Sequence, residues 1–248
     1  MSHRQLTLAG LCVLGALPLI LQALDQGFYI GFAARLLIYV IAASSLNLIL
    51  GNGGMLSFGH AAFVGAGAYI VGILAAEGIT NAWVAWPLAV LGAAVAALLI
   101  GAISLRTRGV YFIMITLAFA QMMYYIFVSL KAYGGDDGLN LATRSQAGFG
   151  LDLKDELTWY YLCLASMVAV LYLLNRIIDA RFGRVLEAIR ENETRMQSIG
   201  FATYGHKLAA FVIAGAIAGL AGALLANHSS FVSPKLMHWT QSGMLMVM

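Results

Sequence analysis

The chain has 248 residues, of which 61% are hydrophobic and 10% charged, against about 25% charged in soluble domains. With a mean hydropathy of +0.86, it reads as an all-α, polytopic membrane protein. A net charge of +3 is too small and too localised to suggest nucleic acid, and Cys12 and Cys163 lie in apolar stretches, as expected of buried free thiols rather than a disulfide framework.

Leu6 to Leu24 is a run of 19 uncharged residues behind Arg4. Its apolar core is long for a signal peptide and lacks a clear A-x-A site, so a first transmembrane helix is expected. A second span runs from Leu36 to about Leu50, where it meets the breaker cluster Gly51-Asn-Gly-Gly54. Ser57 to Ala76 is a third span, a fourth lies within Gly78 to Leu105, and a fifth runs from Gly109 to Leu130. A polar loop follows at about 131–156, with GGDDG at Gly134 to Gly138. Leu157 to Asn175 is the sixth span and Leu208 to Asn227 the seventh, while the final TQSGMLMVM is the start of an eighth, too short to span.

Between the sixth and seventh spans, Asp179 to Lys207 carries nine charged residues and cannot lie within a bilayer. Val185, Ile189, Asn192, Met196 and Ile199 recur at helical spacing, with Arg184, Glu187, Glu191, Arg195 and Ser198 opposite them. One amphipathic helix of about four turns is expected, closed by Gly200 as its C′ residue. Its apolar stripe either packs beneath its own bundle or on the headgroups, or docks on a separate soluble protein.

With a cytoplasmic N-terminus, strict alternation puts Arg4, Arg106, Arg108 and the region Arg176 to Lys207 inside, as the positive-inside rule requires, and GGDDG outside. Ala214, Ala218 and Gly222 line one face of the seventh span and Gly215, Gly219 and Ala223 the next; Ala68, Gly72 and Ala76 repeat the pattern in the third. Such small-xxx-small rows let backbones approach closely. Asn47, Ser57, His60 and Gln121 are polar groups in or beside spans, where they usually face a bundle interior or a water-filled path. Broken backbone at that depth is tolerated only inside protein or along a cavity. Gly51 to His60 is therefore either a short turn with a satisfied histidine or the border of a translocation path. The chain has no Walker A sequence, HExxH, paired CxxC or GxSxG. No catalytic or metal-ligating residue is assigned, since His60 lacks a second ligand at suitable spacing and Asp136 and Asp137 diverge as neighbours.

Four blocks, SLNLILGNGGMLSFGHAAFVGAGAYI (Ser45–Ile70), RGVYFIMITLAFAQ (Arg108–Gln121), GGDDGL (Gly134–Leu139) and Phe182–Leu224, resemble the membrane permeases of branched-chain amino-acid ABC importers, a group that also moves urea and short amides. The resemblance implies a single permease domain in a bacterial plasma (inner) membrane, with a coupling loop at about 179–207. It implies a second permease subunit, cytoplasmic ATPase subunits and an external substrate-binding protein as partners. The chain itself would bind no cofactor, ATP-Mg belonging to the partner ATPase. Glu187-Ala188 through Gly200 resembles the family's ATPase-coupling loop. Permeases of this kind continue beyond Met248, so the resemblance also implies a C-terminal truncation. The expected function is an alternating-access permease driven by a separate ATPase, with an ion-coupled secondary transporter or channel and a lipid-acting membrane enzyme as the alternatives.

Overall fold

The computed structural model describes residues 3–23, 27–141, 144–145, 153 and 155–248. The expected loop at about 131–156 therefore lies partly outside the described residues. Among them, the helices in chain order are α1 (His3–Ala23), α2 (Gly27–Asn47), α3 (His60–Ala76), α4 (Ala82–Ser104), α5 (Val110–Ser129), α6 (Glu156–Asp179), α7 (Arg181–Glu191), α8 (Glu193–Ser198), α9 (Thr203–Ser229) and α10 (Trp239–Val247). Five are long and apolar enough to cross a membrane: α2 with its extension to Asn52, α4, α5, α6 and α9. The fold is an all-α polytopic bundle, as its composition requires.

Local chemistry sets the helix ends. Asn81 and Asp155 cap α4 and α6 through side-chain oxygens that accept from the Trp83 and Thr158 N–H groups. The second span starts earlier than expected. Gly27 to Leu36 is already helical, because Arg35 does not interrupt it: its guanidinium lies 5.8 Å over the Tyr39 ring. Cys163 is buried as expected, whereas Cys12 is exposed.

α3, α4 and α9 make the closest helix crossings, and α2 and α6 complete the buried core. An added Cβ at Gly222 would lie 1.9 Å from the Val64 carbonyl oxygen, one at Gly219 would lie 2.3 Å from Ala93 Cβ, and one at Gly215 would lie 2.4 Å from Ala97 Cβ. The two small-residue rows of the seventh span thus let α9 approach α3 and α4 at backbone distance. The row expected on α3 is different. Ala68 does meet α9, but Gly72 faces Leu139 and Val232, and Ala76 is exposed; Gly67, opposite Gly219, supplies the close approach instead.

One end of the bundle carries a small antiparallel pair, β1 (Leu139–Asn140) with β2 (Phe231–Val232), in the register Leu139 to Val232 and Asn140 to Phe231. At this end Asn227 accepts from the Ser145 N–H at 2.7 Å, and the Tyr133 hydroxyl donates to Glu77 at 3.1 Å. The other end holds the α4–α5 turn, α7, α8 and the start of α9.

The charged loop at that end is two helices, not one. Asn192 is extended (φ −155°, ψ 95°) and its side-chain oxygen caps α8 by accepting from the Arg195 N–H at 2.9 Å. The break destroys the continuous stripe. Leu186 and Ile189 are buried against the chain's own bundle, Val185 and Met196 are half-buried, Asn192 is exposed, and Ile199 is 63% exposed. Glu191 and Arg195 fall on separate helices. Gly200 does close α8 as expected, at φ +96°, with its N–H bonded to the Gln197 carbonyl and the Phe201 N–H to the Met196 carbonyl.

Candidate functional site

α2 does not simply stop. Leu48–Asn52 forms a π-helical turn in which the Gly53 N–H bonds to the Leu48 carbonyl at 3.2 Å, and non-helical backbone then runs to the start of α3. Ser45, Ser57 and His60 are fully buried around this break. The Ser45 hydroxyl donates to the Ala42 carbonyl at 2.7 Å, so its oxygen is left to accept from His60 Nε2–H at 2.7 Å. That fixes the tautomer: Nδ1 carries the lone pair and has no hydrogen-bond partner among the described residues. Ser57 accepts from the Gly59 N–H at 3.2 Å, and Ser242 of α10 accepts from the Ala61 N–H at 2.9 Å. At the start of α3 the Gly59 and Ala61 N–H groups are thereby met by serines, and the Ala62 N–H bonds to the Gly59 carbonyl.

The four expected path residues do not form one cluster. Ser57 and His60 share this buried corner. Asn47 lies on the outer face of α2, its Oδ1 over Gly51, and lines an open groove of about 630 Å³ with Tyr39, Ser44, Leu245 and Met248. Gln121 sits on α5 beside His238, at the long limit of 3.5 Å between Nε2 atoms. His238 Nδ1 caps α10 by accepting from Thr240, which leaves its Nε2 as the donor and favours the Gln121 amide turned with its oxygen inward. Tyr124 packs edge-on against the same imidazole at 5.8 Å. His238, which caps α10, and Ser242, in its first turn, thus join the Gln121 cluster to the His60 cluster.

Sequence reasoning missed Ser45, Ser242 and His238, since a serine in an apolar helix carries no signal until its partner is known. It also missed the charged network on the far side of the break. Glu193 accepts from Lys207 Nζ at 2.5 Å and pairs with Arg108 Nε at 3.4 Å. Lys207 is almost wholly buried. Arg190 of α7 donates to the Gly51 carbonyl in the π turn. These groups border a cleft of about 260 Å³ lined by Gly53 to Leu56, Arg108, Phe112, Ile189 and Glu193. The signal for Glu193 was present: an Asn followed by an acid is the opening of a helix.

His60 is thus a buried histidine hydrogen-bonded to Ser45, set inside protein against a broken helix. The family described as "Branched-chain amino acid transport system / permease component" matches residues 28–248. Two curated relatives, each named "High-affinity branched-chain amino acid transport system permease protein LivM", come from Escherichia coli (strain K12) and Salmonella typhimurium (strain LT2). Each is 31% identical over 240 residues, covering 88% of this chain and 56% of the relative. The chain therefore spans about half the length of these relatives. No solved structure matches it. On the family match and these relatives together, the chain belongs to the branched-chain amino acid transport permease family.

Proposed function

We propose that the chain is a permease subunit of an ATP-driven importer for branched-chain amino acids, coupled to a separate ATPase through α7 and α8. The observation that carries this reading is the helix pair itself. It stands outside the membrane-crossing helices, and the turn that closes it presents Ile199 at 63% and Phe201 at 41% exposure beside charged residues. An amphipathic tip of this kind suits a groove on a soluble partner. The chain carries no Walker A sequence, so nucleotide chemistry belongs to that partner. The docking surface shifts accordingly, from the stripe through Ile189 to α8 and the turn after it.

The same reading places the α7–α8 end in the cytoplasm of a bacterial inner membrane, with the N-terminus on that side. It gives α5, whose Tyr111, Met114, Met122 and Tyr125 are all exposed, to a second permease subunit. The buried corner around Ser45, Ser57 and His60, and the Gln121–His238 pair between α5 and the start of α10, border the path, while an external binding protein selects the cargo. The decisive experiment purifies the subunit from its host and asks whether a Walker-A-bearing ATPase accompanies it. The reconstituted complex is then assayed for ATP-dependent uptake of leucine, isoleucine and valine against urea and acetamide. Uptake without an ATPase, or of the amides alone, would overturn this assignment.

A further inference from the structure

Arg190 connects two parts of the molecule that are far apart in sequence. The π turn at the end of α2 redirects its carbonyls: those of Leu48, Ile49 and Leu50 accept from Gly53, Met55 and Gly54. The Gly51 carbonyl is taken instead by the Arg190 guanidinium. A cation there also complements the negative end of the α2 dipole. The stem of Arg190 lies on the backbone of Gly54, where φ is +64° and an added Cβ would come within 2.8 Å of Arg190 Cγ and 3.4 Å of Cδ. The side chain therefore grips the break from two directions, by hydrogen bond at Gly51 and by packing at Gly54.

The helix pair that bears Arg190 is fixed elsewhere. Glu193 ties the start of α8 to Lys207 on α9 and to Arg108 at the α4–α5 turn. The Tyr204 hydroxyl, one turn before Lys207, donates to the Ala102 carbonyl at 2.8 Å. The start of α8 is thus tied to α9 and to the α4–α5 turn, α9 is itself tied to α4, and among the described residues Arg190 is the α7 side chain that bonds to the Gly51 carbonyl. Beyond the break, the chain leads within a few residues to Ser57 and His60, whose partner Ser45 stands on α2 just before the π turn.

We propose that Arg190 is a positioning residue for transport, carrying displacement of α7 and α8 into the break in α2 and so to the Ser45–His60 pair. The proposal rests on the reading of α7 and α8 as the ATPase-facing element. A shift of α7 must drag the Gly51 carbonyl or break its bond to Arg190, whose stem packs on the Gly54 backbone along one side. The adjoining cleft of about 260 Å³ leaves room for that movement.

The test uses the whole complex, reconstituted with its companion permease, ATPase and binding protein, and compares Arg190→Gln, Arg190→Lys and Gly54→Ala with wild type. ATP hydrolysis, uptake, membrane abundance and ATPase co-purification are measured for each. Arg190→Gln should assemble and hydrolyse ATP at near wild-type rate while uptake falls about ten-fold, raising the ATP consumed per molecule imported. Arg190→Lys, which keeps a cationic donor, should recover part of that ratio. Gly54→Ala, which leaves Arg190 in place but drives its stem aside, should reproduce the defect. If Arg190→Gln fails to insert, Arg190→Lys and Gly54→Ala are read by the same ratio. Unchanged uptake in the variants that insert overturns the proposal. So does a parallel fall of hydrolysis and uptake, which would place Arg190 at the ATPase contact itself. Failure of the underlying functional reading would show already in the wild-type complex, as absence of an associated ATPase.

Discussion

Gly222 shows how little room the bundle leaves at single positions. Gly222→Ala would place a methyl group 1.9 Å from the Val64 carbonyl oxygen, and backbone cannot rotate out of the way as a side chain can. Overpacking of this kind costs about 1–3 kcal/mol, so the variant should unfold at lower temperature in detergent. Gly205, in the first turn of α9, has nothing within 4 Å of an added Cβ. Gly205→Ala should stabilise by about 0.4–1 kcal/mol. A neutral Gly222→Ala would show that the helices do not cross as closely as described. Asp155 carries a different kind of dependence. The Thr158 hydroxyl, and after it the Thr158 N–H, hold its carboxyl below the ordinary aspartate value. A depressed carboxyl stabilises the fold above the ordinary range, and that contribution fades as pH falls through the lowered value. Asp155→Ala should cost about 1 kcal/mol near neutral pH, while Asp155→Asn should keep the cap and flatten the acid limb of a melting-temperature profile. An unaltered acid limb in both variants would show that the cap does not matter.

At the scale of elements, most spans were legible because long uncharged runs have few other uses. Leu208 to Asn227 was expected and α9 observed; Leu157 to Asn175 was expected and α6 observed. The α7–α8 break was not read, and the physical reason is specific. Asn192 occupies a position that continues the four-three spacing of Val185, Ile189, Met196 and Ile199, so periodicity carried the helix through it. Its side chain instead competes with the backbone by capping the next helix, and capping outweighed a pattern in which Asn192 contributed no apolar burial. The functional consequence divides the old stripe in two. Ile189→Asp buries a carboxylate where Ile189 is 3% exposed, a severe desolvation cost, and should lower membrane abundance. Ile199→Asp should leave abundance unchanged and reduce ATPase co-purification and uptake. Normal abundance of Ile189→Asp, together with lost ATPase association, would restore the stripe as the docking surface. Of the candidate site, the break at Gly51 to Gly54 and the buried Ser57 and His60 were readable from glycine clustering and polarity. Arg190, Glu193 and Lys207 were not, because charges in a polar loop look alike until the fold shows which of them bridge.

The whole molecule is polarised along its axis. Arg106, Arg108, Arg176, Arg181, Arg184, Arg190, Arg195 and Lys207 gather at the end that holds α7 and α8, whereas Asp136 and Asp137 stand exposed at the end marked by β1 and β2. The proposed orientation follows the positive-inside rule and puts the first end on the cytoplasmic side. With Cys12 and Cys163 replaced by Ala, a single cysteine at Ser198 should resist a membrane-impermeant thiol reagent in intact cells and react in inverted vesicles. One at Asp137 should do the reverse. Labelling of both from the same side would contradict the topology.

α3 is the feature with the widest consequence. Its 17 residues span about 26 Å, short of a hydrocarbon core of about 30 Å, and from His60 to Tyr69 every residue is buried. Along that stretch the helix has almost no surface to offer lipid. During synthesis, however, α3 leaves the ribosome well before α9, whose glycines complete its packing. Until α9 is made, α3 can pack on α4 but lacks the close backbone contacts that Gly67, Gly219 and Gly222 allow. The closest packing of α3 is therefore expected to form only once α9 has been inserted. Its final placement is an event of late assembly, decided when α9 arrives.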